Sequence, residues 1–348
     1  MGELEKTGTR DSRARILCKS AAAAGVIFAA AKLLGKRRPL DLRGKVVLIT
    51  GSRGLGLAIA QELGRKGARI ALCARDSQEL NRACDMLGRE LIEAAPFSAD
   101  ITRESAIAPL VAGVIERFGR IDILVNNAGA IAIGPFDSFK RADFEYAMNL
   151  MFWAGVNLTF AVLPHMRERR YGIIVNITSI GGRISVPHLL PYSCAKFAFV
   201  GFSNGLATEL RSQGVHVLTV VPGLMRTGSY LNVAFKGNAR REFAWFALSG
   251  NLPGLSVAAT YAAKKISRAV EQQRYNCTIS LPAKMAIVCD ALFPEMTRAA
   301  LELVNRRVLP APSDSSNIVE GRQLNRDFGK VFQALTALGK SAAHNLNE

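Results

Sequence analysis

Tyr192 and Lys196 stand four residues apart in the run Tyr192-Ser193-Cys194-Ala195-Lys196. On a helix that spacing places both side chains on one face. An ammonium beside a phenol favours the phenolate and draws its pKa towards neutrality, as a proton-transfer catalyst needs. Ser179 lies thirteen residues before Tyr192, at the end of the apolar run GIIVNIT (172–178). A second cluster, Thr50-Gly51-Ser52-Arg53-Gly54-Leu55-Gly56, follows the β-branched run KVVLIT (45–50). A strand, a glycine turn and a helix N-terminus together present backbone N–H groups to a phosphate, as in dinucleotide sites. Sites that prefer NAD place an acid at the end of the second strand, where it accepts from the ribose 2′-OH. Here that position is Ala74, followed by Arg75. A guanidinium there suits a 2′-phosphate, and Arg53 inside the turn reaches towards the same group. The pair predicts NADP(H) over NAD(H), although Asp76 is adjacent.

The elements that must position these residues follow a regular alternation. Seven apolar runs read as strands: 45–50, 69–74, 96–100, 121–126, 172–178, 215–221 and 277–282. Between them, 55–66, 77–95, 107–118, 144–170, 192–213 and 257–274 have helical patterns. Such β-α alternation implies a parallel sheet with right-handed crossovers. The expected architecture is α/β, a doubly wound Rossmann fold with a seven-stranded parallel sheet flanked by helices. Residues 224–255 lack clean periodicity and carry Phe235, Phe243, Trp245 and Phe246.

With Asn126-Asn127-Ala128-Gly129 after the fourth strand, the chain resembles the short-chain dehydrogenase/reductases over about residues 42–285. The resemblance rests on the glycine turn, Asp100, the Asn-Asn-Ala-Gly run, Ser179, Tyr192, Lys196 and Pro222-Gly223 followed by Thr227. It implies a carbonyl–alcohol oxidoreductase in which Ser179, Tyr192 and Lys196 are catalytic. Tyr192 would exchange a proton with the substrate oxygen, which Ser179 would hydrogen-bond. Lys196 would hold the nicotinamide ribose and tune Tyr192. Gly51, Ser52, Arg53, Gly54, Leu55, Gly56 and Arg75 would bind the phosphates, and Asp100 the adenine. Asn127, Pro222, Gly223 and Thr227 would line the cofactor cleft. Residues 224–255 would be a substrate lid, whose aromatics read equally as pocket lining or as core. His188 would border the cleft, as a substrate contact or an ordinary loop residue. The family commonly forms homo-oligomers through its long helices.

Two departures from the family's pattern stand out. The glycine turn is one residue shorter than usual between Gly51 and Gly54. The fourth catalytic residue, an Asn on the long helix before the fifth strand, aligns with Met151. Asn149 is two residues away, about 200° around an α-helix, and would need a local bulge to take its place. That loss motivates an alternative reading as a catalytically weak NADP-binding sensor or scaffold.

The chain has 348 residues and a formal charge of +17, with 49% hydrophobic residues. That composition excludes a disordered chain. The charge divides as +6 over residues 1–44, +11 over 45–309 and 0 over 310–348. No nucleic-acid reading module accompanies it, so a nucleic-acid partner is not expected. The four His lack metal-ligand spacing, so no metal is expected. Residues 16–34, ILCKSAAAAGVIFAAAKLL, are apolar with basic flanks. The stretch is long enough to reach a bilayer if its lysines snorkel. It is read as a membrane anchor on a basic extension (1–44), with the catalytic domain (45–309) cytoplasmic and a polar tail (310–348). With a possible membrane surface and an apolar lid, the expected substrate is an apolar small-molecule carbonyl or alcohol. The six Cys show no disulfide or metal pattern and read as reduced, mostly buried thiols.

Overall fold

Runs dominated by Val, Ile and Leu are stable as strands when both faces are covered. Val46–Thr50 (β1) and Ile123–Asn126 (β4) are buried along their whole length, as are Gly172–Ile177 (β5) and Val215–Val221 (β6). The computed structural model describes residues 39–311, 313 and 315–348. With Arg69–Ala74 (β2), Ala94–Ser98 (β3) and Asn276–Thr278 (β7), these strands form one parallel sheet in the order β7-β6-β5-β4-β1-β2-β3. The order reverses between β1 and β4. In such sheets the crevice for a ligand opens there, at the carboxyl ends of the strands.

Helices cover both faces. Gly54–Gly64 (α1), Ser77–Arg89 (α2) and Ala259–Glu271 (α8) pack on one side. On the other lie Ile107–Phe118 (α3), Arg141–Met148 (α4), Ala154–Glu168 (α5) and Leu190–Glu209 (α6). A π-helical turn, Asn149–Trp153, joins α4 to α5. Among the described residues, only Arg141–Glu168 is long and apolar enough to cross a membrane. Half of its most apolar window is buried in the domain, as suits a core helix.

Several boundaries differ from the sequence expectation for local reasons. Leu91, with φ +61°, takes the chain out of α2 well before Ala95, and β3 begins at Ala94 rather than at residue 96. The last strand ends at Thr278. Ser280 then caps Leu281–Leu292 (α9), its hydroxyl accepting from Ala283 N–H at 3.2 Å, with Pro282 in the first turn. Proline suits that position because the missing N–H would have no intrahelical partner. Pro294–Arg307 (α10) follows.

Residues 224–255 build a second layer over the crevice, centred on Ala239–Asn251 (α7). Phe235, Phe243 and Phe246 are buried in a cluster with Ile133, Leu189, Tyr230 and Val233. These aromatics are therefore core rather than open pocket lining. The segment 310–348 joins the same layer. Val319–Glu320 pairs with Ala234–Phe235, which also pairs with Ala132–Ile133. Gly321–Asn325 (α11), Lys330–Leu335 (α12) and Ala337–Asn345 (α13) follow. Phe328 and Phe332 stack at 4.1 Å and cover Phe243.

The five described cysteines are free, but only Cys73 is fully buried, while Cys194 and Cys289 are exposed. This corrects the expectation of mostly buried thiols. The apolar stretch 16–34, with Cys18, lies outside the described residues.

Candidate active site

The end of β1 and the start of β4's loop are joined through Thr50. Its hydroxyl accepts from Asn127 N–H at 2.9 Å and Ala128 N–H at 3.0 Å. Asn127 Nδ2 donates back to the Thr50 carbonyl at 2.8 Å. Gly51 has φ +98°, a conformation that side chains disfavour. A Cβ at Gly56 would meet the Gly51 carbonyl and Asn127 Nδ2. These bare positions let α1 start close against the turn, with Leu55 buried in its first turn. Such a cradle fits a dinucleotide pyrophosphate.

Glu79 organises the flank of the turn. Ser52 Oγ donates to its carboxylate at 2.5 Å, and Arg53 Nη1 lies 3.3 Å from its second oxygen. Arg53 is thus paired on α2, beside the predicted 2′-phosphate position. Arg75 is exposed at the end of β2, and its carbonyl accepts from Ser98 Oγ. Asp76 caps α2, accepting from Glu79 N–H at 2.9 Å. Asp100 accepts from Thr102 Oγ1 at 2.7 Å and from its N–H at 3.1 Å, which with nearby Arg75 and Arg103 holds the carboxyl below its usual range.

On the other side of the crevice, Ser179 follows β5 by two residues and Tyr192 lies in the first turn of α6. Both side chains lie against Gly181, whose N–H donates to Ser179 Oγ at 3.0 Å. Lys196 is one turn on, its Nζ 5.8 Å from the Tyr192 ring centre. The ammonium is buried and donates to the Ile177 carbonyl at 2.9 Å. Burial pushes the Lys196 pKa down to about 8. Burial also pushes the Tyr192 phenol up, with the Ser179 hydrogen bond opposing it. The expectation that Lys196 draws Tyr192 towards neutrality is thus corrected for this state of the site. Desolvation of the phenolate is the largest influence on it.

Pro222 and Gly223 follow β6. The Pro222 carbonyl accepts from Ile180 N–H at 2.8 Å, tying this loop to the Ser179 turn. Thr227 is buried, its hydroxyl accepting from Ser229 N–H at 3.1 Å, and it faces Gly54 across the crevice.

The bulge that Asn149 would need is present, as the π-turn 149–153, yet Asn149 itself is exposed. Met151 is the inward residue. It is buried against Gly129, next to Lys196, and borders a small cavity with Thr50, Asn126 and Phe199. His188 is neither an open substrate contact nor an ordinary loop residue. It is buried, with Nδ1 2.7 Å from Glu242 Oε1, and Trp245 Nε1 donates to the same carboxylate at 2.6 Å. The parts played by Thr50, Glu79 and Glu242 were not evident in the sequence, since each acts through a contact distant in the chain.

The family profile described as short chain dehydrogenase matches residues 45–234. The chain belongs to the short-chain dehydrogenase/reductases. Dehydrogenase/reductase SDR family member 7B of Danio rerio is 30% identical over 269 residues, covering 75% of this chain and 85% of that one. A short-chain dehydrogenase of Streptomyces avermitilis superposes with a TM-score of 0.63 at 31% identity, covering 75% of this chain and 97% of that one. A metagenomic short-chain oxidoreductase in complex with NADP superposes with a TM-score of 0.57 at 28% identity, covering 69% and 97%. Membership of this oxidoreductase family implies a small-molecule substrate and a nicotinamide dinucleotide. The Ser179, Tyr192 and Lys196 cluster stands opposite the glycine turn of this short-chain dehydrogenase, at the carboxyl end of the sheet.

Proposed function

We propose that this short-chain dehydrogenase interconverts a carbonyl and an alcohol with NADP(H), acting on an apolar small molecule. The observation that carries the reading is the cluster of Tyr192, Ser179 and buried Lys196 at the carboxyl end of the sheet that also bears the Gly51–Gly56 turn. When bound, the dinucleotide supplies or accepts the hydride. Ser179 orients the substrate oxygen, and Tyr192 gives it a proton in reduction or takes one in oxidation. Lys196 holds the ribose hydroxyls at the cofactor's nicotinamide end. Met151 offers only a weak thioether acceptor where the family has an amide, and the Lys196 ammonium donates to the Ile177 carbonyl beside it.

NADP(H) is favoured because the end of β2 has no free acid to bind a ribose 2′-OH. Asp76, the nearest, caps α2 instead, while Arg75 is exposed beside it. The NADP complex of a structural relative agrees with this preference. An apolar substrate suits the surroundings of Tyr192, which packs on the same cluster as half-buried Ile131, Val186 and Leu231. Exposed Trp153, Phe160 and Phe197, in and around the long helices, support a homo-oligomer through that face.

Turnover of a diverse carbonyl panel with NADPH and with NADH tests the reading. NADPH should be preferred, and long-chain or cyclic apolar carbonyls should outrun sugars. Tyr192→Phe should cost about 10²-fold or more in kcat while NADPH binding persists. Failure of every carbonyl, or an undiminished Tyr192→Phe enzyme, would reject it.

A further inference from the structure

The glycine turn is already hydrogen-bonded to a distant part of the same chain. α13 lies along the lid, with Gly339 N–H donating to Asn251 Oδ1 at 2.6 Å and Ala343 against Gly228. Beyond α13 the chain reaches the turn itself. The Leu346 carbonyl accepts from Gly54 N–H at 2.9 Å. The Asn347 amide donates to the Glu79 carbonyl at 2.9 Å and reaches the Ser52 carbonyl at 3.4 Å. Its own carbonyl oxygen accepts from Arg82 Nε at 3.4 Å. One Glu348 carboxylate oxygen accepts from Asn232 Nδ2 at 2.6 Å, and the other lies against Gly54, opposite Thr227.

These residues stand where the α1 N-terminus would meet an anion. Gly54 N–H is one of the orphan donors that give a helix start its affinity for phosphate, and it is engaged by Leu346. The Glu348 carboxyl brings a second acceptor into the same space. Burial there pushes its pKa up to about 7, with Arg53 and Arg322 pulling it down and Glu79 pushing it up. A pyrophosphate placed on the turn would meet this oxygen-rich segment at contact distance.

We propose that residues 346–348 are an internal competitor for the cofactor's pyrophosphate, so that the dinucleotide enters only after they leave the glycine turn. The inference rests on the NADP(H) reading above. Release need not unfold the lid. Phe328 and Phe332 on Phe243, and Gly339 N–H on Asn251, tether the 310–348 segment upstream of the three residues that must move. If the segment is docked about nine-tenths of the time, it weakens apparent cofactor affinity about ten-fold.

The test compares the full chain, a chain ended after Asn345, and a full chain carrying Asn347→Ala with Glu348→Ala. Calorimetric titration gives the NADPH Kd for each, and hydrogen exchange follows the amides of Gly54, Leu346 and Glu348. Both variants should bind NADPH about ten-fold more tightly than the full chain. In the full chain, saturating NADPH should speed exchange at Leu346 and Glu348 while Gly54 stays protected. Should the shortened chain fail to fold, the double substitution, which keeps the backbone, carries the comparison. Equal Kd values with unchanged exchange at 346–348 would overturn the competitor role and leave the NADP(H) reading standing. If no form binds NADPH or NADH, the cofactor reading fails, and the inference with it.

Discussion

Lys196 is buried with one backbone carbonyl as its hydrogen-bond partner, and this has a measurable consequence. Its pKa is about 8 in the folded protein, against an ordinary value near 10.5. Between those values the unfolded chain binds more protons than the native one, so this group makes stability rise with pH. Below about pH 8 the full cost of the buried charge is present. Without cofactor, the stability difference between Lys196→Met and the original protein should therefore shrink by roughly 3 kcal/mol at most from pH 8 to 10.5. Urea unfolding at several pH values checks this, and a pH-independent difference would place the ammonium in water. The Tyr192–Lys196 pair was legible because helix geometry depends on spacing alone, and Ser179 because a strand ends before it. The direction of the Tyr192 shift was not, since desolvation depends on what packs around the phenol. Met151 was legible as a departure, and the structure adds that the bulge persists while its inward side chain is apolar.

At the scale of elements, strands buried on both faces announced themselves as β-branched runs. β3 and α2 were misplaced by a few residues because Leu91 leaves the helix through a positive φ that no residue type there signals. The lid was harder to read. Its aromatics have no period because they close over one another and over Phe328 and Phe332, eighty or more residues away in the chain. The His188–Glu242 pair joins the loop before α6 to α7, and Trp245 closes the carboxylate's other side. Replacing His188 by Ala leaves a fully buried carboxylate short of a partner, at a cost of about 3 kcal/mol or more. Urea unfolding should show a lower midpoint. A midpoint within error of the original would mean that the pair contributes nothing to holding the lid.

At the scale of the molecule, charge and hydropathy set the outer limits. The basic residues at the ends of 16–34 suit an anionic membrane face, and the proposed anchor has a direct check. The full chain should sediment with membranes, and a chain lacking residues 1–38 should remain in the supernatant. A full chain found wholly in the supernatant would end the anchor proposal. The alternation of strands and helices was enough to read one sheet. The role of 310–348 stayed hidden, because a polar segment with a few Phe and Leu residues looks like a solvated tail until its partner surface is known.

The family profile stops at Ala234, just before α7. Thr50 and Asn127 fasten the nucleotide half of the sheet to the half that bears Tyr192, and each of those contacts lies within the matched span. The lid helix and the segment that covers it lie outside it. The profile thus spans the engine of the molecule and not its cover. Exchanging covers between relatives, with the engine left unaltered, should show how far the cover sets the choice of substrate.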